Sequence, residues 1–540
     1  MQPRFKAEQS SQKLRGGYYT PQQYSDFIAH WVLQGRPERI LEPSCGDGVF
    51  IKSVIQQQPQ HVFSMQCMEL DPLEAKKARQ TACNSPHDIS VSCGDFLDYA
   101  LAHIQNQPGD FDGIVGNPPY IRYQFLDTDF QEKAAECFRL LNLRFTKLSN
   151  AWVVFVILCV KLLAANGRLG MVIPSEVLHV LYAQELRSFL AEHCARIMLV
   201  NPVELWFKGA MQGTVMLLVE KKQHPSEDSL IQITTTSGDT FTQKHAAELF
   251  PRDQFIPTPL NKWLIALLRK EDIALYQHVR SLSCIRTLGE IAKVSAAITT
   301  GANEFFTVPQ SLVQQHNLAR YCSPVFSKSH HCAGIIYDQD QHQSNLTAQE
   351  SVSLVRFAQQ PLHAQALAYI QEAEQKGLHQ RYKCRVRDPW YVVPEVKPQA
   401  ATLNKFSHVC PKLISNQIGA FTTDGFYTVN VQPGIDVDRL VVLFFNPLTM
   451  ISAELEGRYY GGGILEIMPS EAMQLAIPYP DDIELPNIRQ LDRLIREQGL
   501  EQAVYDNGSK ILKRIGLNAG QIEQLFTIWQ QLGKNRKRKH

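Results

Sequence analysis

This 540-residue sequence lacks several features that mark other protein classes. Its 12 cysteines are scattered and none stands in a C-x-x-C pair, which argues against a zinc ribbon or a redox dithiol. Scattered cysteines in a chain of this length fit reduced thiols, and we predict a cytoplasmic protein. The stretch "SHHC" (329–332) has the residue types of a metal site but no second cluster at zinc spacing, so we predict no metal.

A strong charge of one sign and a long apolar run are also missing. The formal net charge is +1, which leaves partners open because local patches can still be basic. One concentrated basic run, "GKNRKRKH", ends the sequence and is either solvated or in contact with DNA. The N-terminus has no apolar signal segment. The longest apolar run, "AWVVFVILCV" from Ala151, is about half of a membrane span, so it predicts a buried helix and no membrane partner.

The order of strand-like and helix-like segments predicts an α/β protein with more than one domain. In the first half, "RILEPS", "MQCMELD", "ISVSCGD" and "FDGIVG" alternate with helix-like segments, as in a doubly wound, Rossmann-like sheet. Beyond about residue 245 this alternation fades into short segments with proline, glycine and aromatic residues. We predict an α/β domain over 1–245, a mixed α+β domain over 246–480, and a helical segment with a basic tail over 481–540.

Two local predictions concern helix ends. Thr20 stands where a helix N-cap is expected, with Pro21 at the first helical position. The helix that begins in "AWVVFVILCVKLLAANG" is predicted to end at Gly167, before a strand over "RLGMVIP".

Acidic residues stand at the ends of the first three predicted strands. Glu42 begins a loop that contains Gly46 and Gly48, and Glu69 and Asp95 end the next two strands. Ligands of doubly wound sheets bind at the carboxyl ends of the strands. An acid there disfavours a pyrophosphate and favours a cationic nucleoside such as S-adenosylmethionine.

Individual roles follow from these positions, each with a simpler alternative. Glu69 would accept from ribose hydroxyls, Asp95 would accept from the adenine amino group, and Phe96 would pack on the adenine ring. Glu69 could instead serve the N-terminus of the following helix, "PLEA", and the loop at Glu42 could be an ordinary strand–helix turn.

The stretch "GNPPYIRY" (116–123) ends the fourth strand with an amide, two prolines and an aromatic ring. An exocyclic amine on an aromatic base is a poor nucleophile, because its lone pair is delocalised into the ring. Acceptors on both amino hydrogens would free that lone pair. The Asn117 side-chain oxygen and the Pro118 carbonyl suit this task, since proline has no competing N–H. Tyr120 would stack on the base, a contact worth about 1–3 kcal/mol; the simpler alternative is a rigid turn.

These motifs, in this order, resemble the gamma group of DNA adenine N6-methyltransferases, the TaqI-like modification enzymes of type II restriction-modification systems. The resemblance covers roughly residues 13–220, although the family more often has Tyr where Trp152 stands. The matching stretches are "GGYYTP" (16–21), "LEPSCGDGVF" (41–50), "MELDP" (68–72), "GDF" (94–96), "NPPYIR" (117–122), "NAWVVF" (150–155) and "GRLGMVIP" (167–174).

The resemblance implies further site residues. Tyr19 and Thr20 would line the methionine end of the cofactor, with Glu42 near its amino group and Ser44 in the same binding loop. An aromatic residue would form the second wall of the base pocket. Phe207 in "ELWFKG" is the positional match, and a core phenylalanine is the alternative.

The implied function is site-specific methylation of an adenine flipped out of double-stranded DNA, which protects host DNA from a cognate restriction endonuclease. We expect a monomer that makes no direct contact with that endonuclease. The part after the catalytic domain would recognise the target, with "AITTGANEFF" (297–306) and "GRYYGGGILEIMPSE" (457–471) as recurring segments. Candidate base readers there are Arg385, Arg387, Asn404, Lys405 and Asn416.

Other functions share parts of this pattern. N4-cytosine methylation uses the same geometry on a similar ring amine, although related enzymes favour Ser or Asp in place of Asn117. Methyltransferases that act on a protein glutamine or on ribosomal RNA carry the NPPY signature, but usually without a C-terminal domain of this size. A non-catalytic DNA-binding module would lack an acceptor or a cofactor acid, and all of these are present.

Overall fold

The protein is described by a computed structural model over residues 19–59, 61–83, 85–104, 109–146, 149–204, 206, 213–357, 361–394, 396–460, 462–480 and 485–537. These residues form two compact units, one that ends at Lys270 and one over Glu271–Lys537. The change in architecture therefore lies after the predicted position at residue 245.

The first unit is built on a nine-stranded sheet, and helices connect most of its strands. Its strands are β1 (Arg39–Glu42), β2 (Ser64–Glu69), β3 (Asp88–Cys93), β4 (Phe111–Gly116), β5 (Leu163–Pro174), β6 (Cys194–Pro202), β7 (Thr214–Lys221), β8 (Leu230–Thr236) and β9 (Ile256–Pro257). Its helices are α1 (Gln22–Leu33), α2 (Val49–Gln56), α3 (Pro72–Ala82), α4 (Phe96–Ile104), α5 (Thr128–Leu140), α6 (Ala151–Leu162), α7 (Gln184–His193) and α8 (Ala246–Leu249).

The strand order is β3-β2-β1-β4-β5-β7-β6-β8-β9. The first five of these strands run parallel, and β7 runs antiparallel to both β5 and β6. Because β1 pairs with both β2 and β4, the order reverses at β1, which is where open α/β sheets bind their ligands. The predicted doubly wound sheet is confirmed. Residues 246–270 belong with it because β9 pairs with β8.

Helix α1 packs closely on the sheet where two strands carry glycine. A Cβ on Gly113 would lie 2.7 Å from Cγ1 of Val32, and one on Gly170 would lie 2.5 Å from Cγ2 of Ile28. Any larger residue at these positions would push α1 away from β4 and β5. The helix begins at Gln22 after Pro21 and has no side-chain cap, so the predicted capping role of Thr20 is wrong.

Helix α6 is the buried helix predicted from the apolar run, and its first ten residues are all buried. It ends at Leu162 rather than at Gly167. The reason is that Leu163 already pairs with Phe111 of β4, which draws the backbone into the sheet. None of the described helices is both long and apolar enough to cross a membrane.

The second unit is a mixed α+β structure with four smaller sheets. Their orders are β10-β23, β11-β20-β16-β18-β14, β12-β15-β13-β19 and β17-β22-β21. The strands are β10 (Ile285–Thr287), β11 (Ala292–Ala296), β12 (Thr307–Val308), β13 (Cys322–Phe326), β14 (Ile336–Tyr337), β15 (Ser353–Val355), β16 (Ala401–Asn404), β17 (Phe406–Ser407), β18 (Leu413–Asn416), β19 (Phe421–Thr422), β20 (Phe426–Val431), β21 (Arg458–Tyr460), β22 (Ile464–Glu466) and β23 (Ala476–Pro478).

Helices surround these sheets and close the chain. They are α9 (Lys270–Arg280), α10 (Leu288–Ile291), α11 (Asn303–Phe306), α12 (Gln310–Gln315), α13 (Gln339–Thr347), α14 (Ala364–Gln375), α15 (Tyr382–Arg385), α16 (Val437–Phe444), α17 (Pro447–Glu456), α18 (Pro469–Ala472), α19 (Ile488–Gln498), α20 (Leu500–Arg514) and α21 (Ala519–Arg536). The last three are not a separate segment, because Asn507 of α20 donates to the buried carbonyls of Val442 and Phe445.

The basic run at the end of the sequence is partly a structural element. Arg536 is 3% exposed and forms an ion pair with Glu454, at 2.9 Å between Nη2 and Oε1. Its guanidinium also donates to the carbonyl of Gly463. A buried charge of this kind needs both its partner and hydrogen bonds. Neither solvation nor DNA contact, the two alternatives for this run, therefore describes Arg536, and residues 538–540 lie outside the described residues.

Candidate active site at the carboxyl edge of the first sheet

Parallel pairing brings the predicted site residues to one edge of the sheet. Strands β3, β2, β1 and β4 are successive neighbours and run in the same direction. Glu42 and Glu69 are the last residues of β1 and β2, while Asp95 and Asn117 follow β3 and β4 directly or within two residues. The sequence motifs, which are spread over 98 positions from Thr20 to Asn117, therefore meet at the same edge.

The loop after β1 turns sharply through two glycines. Gly46 and Gly48 have φ angles of 54° and 92°, in the left-handed region that side chains disfavour. The Cys45 N–H donates to the carbonyl of Met68 at 2.8 Å, which ties the loop to the end of β2. A Cβ on Gly48 would also lie 3.2 Å from Cα of Ala78, so this glycine is required for close packing on α3 as well.

Glu69 connects the loop after β1 to the loop after β2. One of its carboxylate oxygens accepts from the Gly46 N–H and the other from the Asp71 N–H, both at 2.8 Å. The helix that follows is capped by a different residue, Asp71, whose side chain accepts from the N–H groups of Leu73 and Glu74. Glu69 therefore holds both the glycine loop and the backbone of the residue that caps the next helix, and its predicted contact with ribose hydroxyls stays a prediction.

Asp95 forms an ion pair with Lys133, a residue that the sequence did not predict to be part of the site. One Asp95 oxygen accepts from the Leu97 N–H at 2.8 Å, and the other pairs with Lys133 at 2.8 Å. Lys133 of α5 also pairs with Asp98 and Asp129, at 2.8 and 2.7 Å. Partial burial would lower the pKa of Lys133, but hydrogen bonds to Asp129, Asp95 and Asp98 outweigh it and raise that pKa. Lys133 therefore stays charged and holds the turn after β3.

Phe96 is a core side chain in this structure. Its ring is 2% exposed and packs against Phe155 of α6, with 5.0 Å between ring centroids. The predicted contact between Phe96 and an adenine ring stays a prediction.

Asn117 is held by hydrogen bonds from two other segments. Its side-chain Nδ2 donates to the Thr20 hydroxyl at 3.1 Å, and its carbonyl accepts from the Ser44 hydroxyl at 3.3 Å. Thr20 is 5% exposed, so this bond is protected from water. The sequence predicts Thr20 as a helix cap, whereas in the structure its hydroxyl accepts from the Asn117 amide and orients it. No local pattern could have shown this, because the two residues are 97 positions apart.

The remainder of the NPPY motif is fixed to the neighbouring strand. Pro118 is buried, and Pro119 and Tyr120 are half-buried. The Tyr120 hydroxyl donates to the carbonyl of Val172 in β5 at 2.9 Å. The Ile121 carbonyl accepts from the Ala151 N–H at the start of α6. The motif is therefore held on both sides, as a rigid acceptor surface requires.

Glu42 is almost fully buried, with 1% of its surface exposed. Burial raises its pKa well above the ordinary value of 4.5; a weak hydrogen bond from Cys67 opposes the rise, and the charges of Glu69 and Asp47 add to it. Within the described residues, Glu42 Oε1 has no hydrogen-bond partner. A buried carboxyl oxygen of this kind is a costly arrangement that a cationic ligand would relieve.

For two of the predicted site residues, Tyr19 and Phe207, the structure shows little or nothing of their role in the site. Tyr19 is 49% exposed at the start of the described chain, and burial followed by the charge of Glu74 raises its pKa. Phe207 lies outside the described residues. Its neighbour Trp206 packs on Tyr24, with 4.3 Å between ring centroids.

Most of the candidate base readers in the second unit have structural partners. Asn404 and Asn416 are 3% and 4% exposed and bond to neighbouring backbone groups. Arg387 donates to the carbonyls of Thr299 and Thr300. The amides of the two buried asparagines hold loops, and the choice of base readers among the five candidates stays a prediction.

Lys405 and Arg385 differ in their surroundings. Lys405 pairs with Glu466 at 3.1 Å and lies over the ring of Phe406. Arg385 is exposed, and within the described part of the chain no acidic residue pairs with it.

The "SHHC" stretch forms a hydrogen-bonded cluster with Glu350. Nε2 of both His330 and His331 lies 3.3 Å from Oε2 of Glu350. His331 Nδ1 accepts from the Ser327 N–H, so its proton is on Nε2. Burial, and then the charge of His330, lower the pKa of His331 to about 4, which keeps the ring neutral at pH 7. A metal on Nε2 would have to displace that proton while Nδ1 is already an acceptor, and we therefore assign no metal to this cluster.

The residues at the edge of the first sheet fit S-adenosylmethionine. Its sulfonium and ammonium groups suit the buried Glu42 carboxyl, and the glycine loop leaves room for close approach of the backbone. The strand ends supply further acceptors in Glu69 and Asp95. This donor and acceptor set matches the chemistry of the cofactor.

Two family models match the chain. Residues 67–204 match the Eco57I restriction-modification methylase, and residues 260–512 match the C-terminal domain of the type II methyltransferase M.Eco57I. The two matches lie in the order expected for a catalytic domain followed by a C-terminal domain.

Similar proteins include other type II methyltransferases. M.AccI of Acinetobacter calcoaceticus is 22% identical over 471 residues, which cover 84% of this chain and 83% of the relative. M.XamI of Xanthomonas campestris pv. amaranthicola is 23% identical over 484 residues, which cover 86% and 85%. Among solved structures, the type IIL restriction-modification enzyme MmeI in complex with DNA is similar with a TM-score of 0.50 and 10% identity, over 95% of this chain and 75% of that one. At this identity the likeness shows the fold alone.

The methylase model matched by residues 67–204 and the type II methyltransferase relatives define an S-adenosylmethionine-dependent methyltransferase. The relatives and the two matched models support its identification as a DNA methyltransferase similar to those of type II restriction-modification systems. The predicted gamma-group type II enzyme and its cofactor are confirmed, whereas the TaqI-like name stays a prediction.

Mutation of Glu69, which ends β2, and of Asp71, which follows it, is expected to affect cofactor binding and stability differently. Glu69→Ala removes the acceptor for the Gly46 N–H, so we expect the dissociation constant for S-adenosylmethionine to rise at least about tenfold, the cost of one or more hydrogen bonds. Asp71→Ala removes a helix cap and should lower stability by about 1 kcal/mol while leaving that constant nearly unchanged. Equilibrium cofactor binding and thermal unfolding of both variants check this. Equal effects of both variants on cofactor binding would contradict the assignment.

Proposed function

We propose that this chain methylates the N6 amine of an adenine in double-stranded DNA, at a specific site. The observation that carries the proposal is the position of Asn117 directly after β4, where its side-chain Nδ2 donates to the Thr20 hydroxyl. With Nδ2 used in this way, Oδ1 is the atom of the amide that we propose as an acceptor for the substrate amine. Pro118 adds a carbonyl without an N–H.

The residues of the site account for the activation of the amine. The Asn117 side-chain oxygen and the Pro118 carbonyl would accept the two amino hydrogens and so draw the nitrogen lone pair out of the ring. Tyr120, whose ring is fixed through its hydroxyl to Val172, would stack on the base. When bound, S-adenosylmethionine supplies the electrophilic methyl group. Positioning and hydrogen bonding by the chain therefore carry the catalysis.

For the cofactor we propose the residues of the first three strand ends. Glu42, Ser44 and the loop glycines Gly46 and Gly48 would surround the methionine part, together with Tyr19 and Thr20. Glu69 would hold the ribose side, and Asp95 with Phe96 the adenine side. Phe207 is proposed for the second wall of the base pocket. These assignments are supported by the positions of the loops at one sheet edge and by the cross-strand hydrogen bonds.

The remaining partners follow from the type II restriction-modification relatives. A target base inside a duplex has to be flipped out before it can reach a site of this kind, at a cost of a few kcal/mol. We propose that the second unit, Glu271–Lys537, recognises the DNA target, that a separate restriction endonuclease acts on the same site, and that the chain works as a cytoplasmic monomer. The 12 free cysteines agree with a reducing compartment.

The test of this function is identification of the methylated nucleoside. The purified chain is incubated with unmethylated genomic DNA and S-adenosylmethionine, and the DNA is digested to nucleosides and analysed by mass and retention. We expect N6-methyladenine from the wild type and none from Asn117→Ala, while Asn117→Ala still binds the cofactor with nearly the wild-type dissociation constant. N4-methylcytosine would keep the mechanism and correct the base. Undiminished activity of Asn117→Ala would contradict the role of the amide.

Cofactor binding should be linked to a proton at Glu42. Its raised pKa means that Glu42 is protonated over a range above its ordinary value of 4.5, whereas a cationic ligand favours the ionised form. Binding should therefore release a proton, and affinity should rise with pH, by up to about tenfold per unit, until the raised pKa is passed. Cofactor affinity is best measured as a function of pH below about pH 7, because the amino group of the cofactor stays charged there.

The isosteric variant Glu42→Gln is the control for this linkage. It should bind more weakly and lose the pH dependence. Calorimetry in two buffers of different ionisation enthalpy measures the proton release directly. The same release in the wild type and in Glu42→Gln would show that the proton comes from another group.

A further inference from the structure

A short basic segment in the second unit has no acidic residue of its own. Residues 376–387 read "KGLHQRYKCRVR" and contain five lysines and arginines but no aspartate or glutamate. The net charge of the whole chain is only +1, so this is a strong local excess. Of these cations, Arg381 is paired with Glu304, and Arg387 is used to bind backbone carbonyls.

The segment is fixed firmly to the structure beneath it. Cys384 in the middle of α15 is fully buried. Arg387 Nη1 donates to the Thr300 carbonyl at 2.7 Å, and a Cβ on Gly301 would lie 2.6 Å from Cβ of Lys383. Gly301 also has a φ of 81°, which favours glycine. The basic segment therefore packs on the loop "AITTGANEFF", which is one of the two segments noted in the sequence of this domain.

Helix α15 exposes a tyrosine with two cations close to its ring. Tyr382 is 64% exposed, and Lys383 and Arg385 are exposed as well. Lys383 Nζ lies 5.8 Å and Arg385 Cζ 5.4 Å from the centre of the tyrosine ring. Within the described residues, neither cation forms an ion pair with an acidic side chain. We call Tyr382, Lys383 and Arg385 the α15 surface.

We propose that the α15 surface binds the sugar–phosphate backbone of the DNA substrate, an inference that rests on the proposed function. Two cations that pair with no acidic residue among the described ones attract phosphates, and the hydroxyl of the nearby Tyr382 can donate to a phosphate oxygen. Both cations are exposed, and each is attached through a flexible stem. This favours phosphate contact over base readout, which requires a fixed bidentate geometry.

The experiment compares two variants that lose the same charge from different helices. Lys383→Gln/Arg385→Gln removes the cations of the α15 surface, and Lys513→Gln/Arg514→Gln removes two exposed cations from the last turn of α20. The dissociation constant for a mixed-sequence duplex of about three helical turns is measured by fluorescence anisotropy over a series of salt concentrations. All of the substituted side chains are exposed, so thermal unfolding and the cofactor dissociation constant should stay at the wild-type values.

The α15 variant should bind the duplex at least about tenfold more weakly at low salt. The slope of log affinity against log salt should fall by about two, since each lost phosphate contact contributes roughly 0.9. Arg385→Gln alone should give about half of this change in slope. The α20 variant should keep both the affinity and the slope of the wild type.

Other outcomes overturn the proposal in distinguishable ways. If the α15 variant matches the α20 variant in affinity and slope, the surface does not bind DNA. If its loss is confined to one sequence and spares other duplexes, the contact is base readout and not backbone binding. A wild-type chain that binds no duplex at all would instead overturn the proposed function.

Discussion

The parallel pairing of β1 with both β2 and β4 is the constraint on which the site depends. Together with the parallel pairing of β3 on β2, it brings the ends of four strands to one edge and leaves a reversal of strand order at β1, where a ligand can enter. Hydrogen bonds between neighbouring loops then fix the edge. Glu69 holds the Gly46 N–H, Ser44 bonds to the Asn117 carbonyl, and Thr20 orients the Asn117 amide. The cofactor loop and the acceptor motif are thus parts of one connected network.

Much of this arrangement is predictable from the sequence, because it rests on local chemistry. Strand–helix alternation indicates the doubly wound sheet, and acids or amides at strand ends must meet at the carboxyl edge once the strands are parallel. The glycines of the first loop and the prolines after Asn117 are required by backbone conformation or by the loss of N–H donors. Such features act within a few residues, so a sequence pattern can show them.

The sequence did not predict features that depend on contacts between residues far apart in the chain. Thr20 looks like a helix cap but bonds to a residue 97 positions away, and Lys133 joins three acids from two helices and a turn. In the second unit, residue type alone could not separate a buried amide such as Asn416 from an exposed cation such as Arg385. Burial and partners decide that difference, and both depend on the tertiary fold. The pairing of the two-residue strand β9 with β8 is a further long-range feature that no local pattern predicts.

The central claim is that the Thr20 hydroxyl orients the Asn117 amide for amine activation. The most direct measurement is the single-turnover rate of methyl transfer at saturating DNA and S-adenosylmethionine in Thr20→Val and Thr20→Ser. Thr20→Val should be about tenfold slower, which corresponds to the loss of one hydrogen bond, while Thr20→Ser keeps the hydroxyl and should stay within about twofold of the wild type. Transfer by Thr20→Val at the wild-type rate would contradict the account.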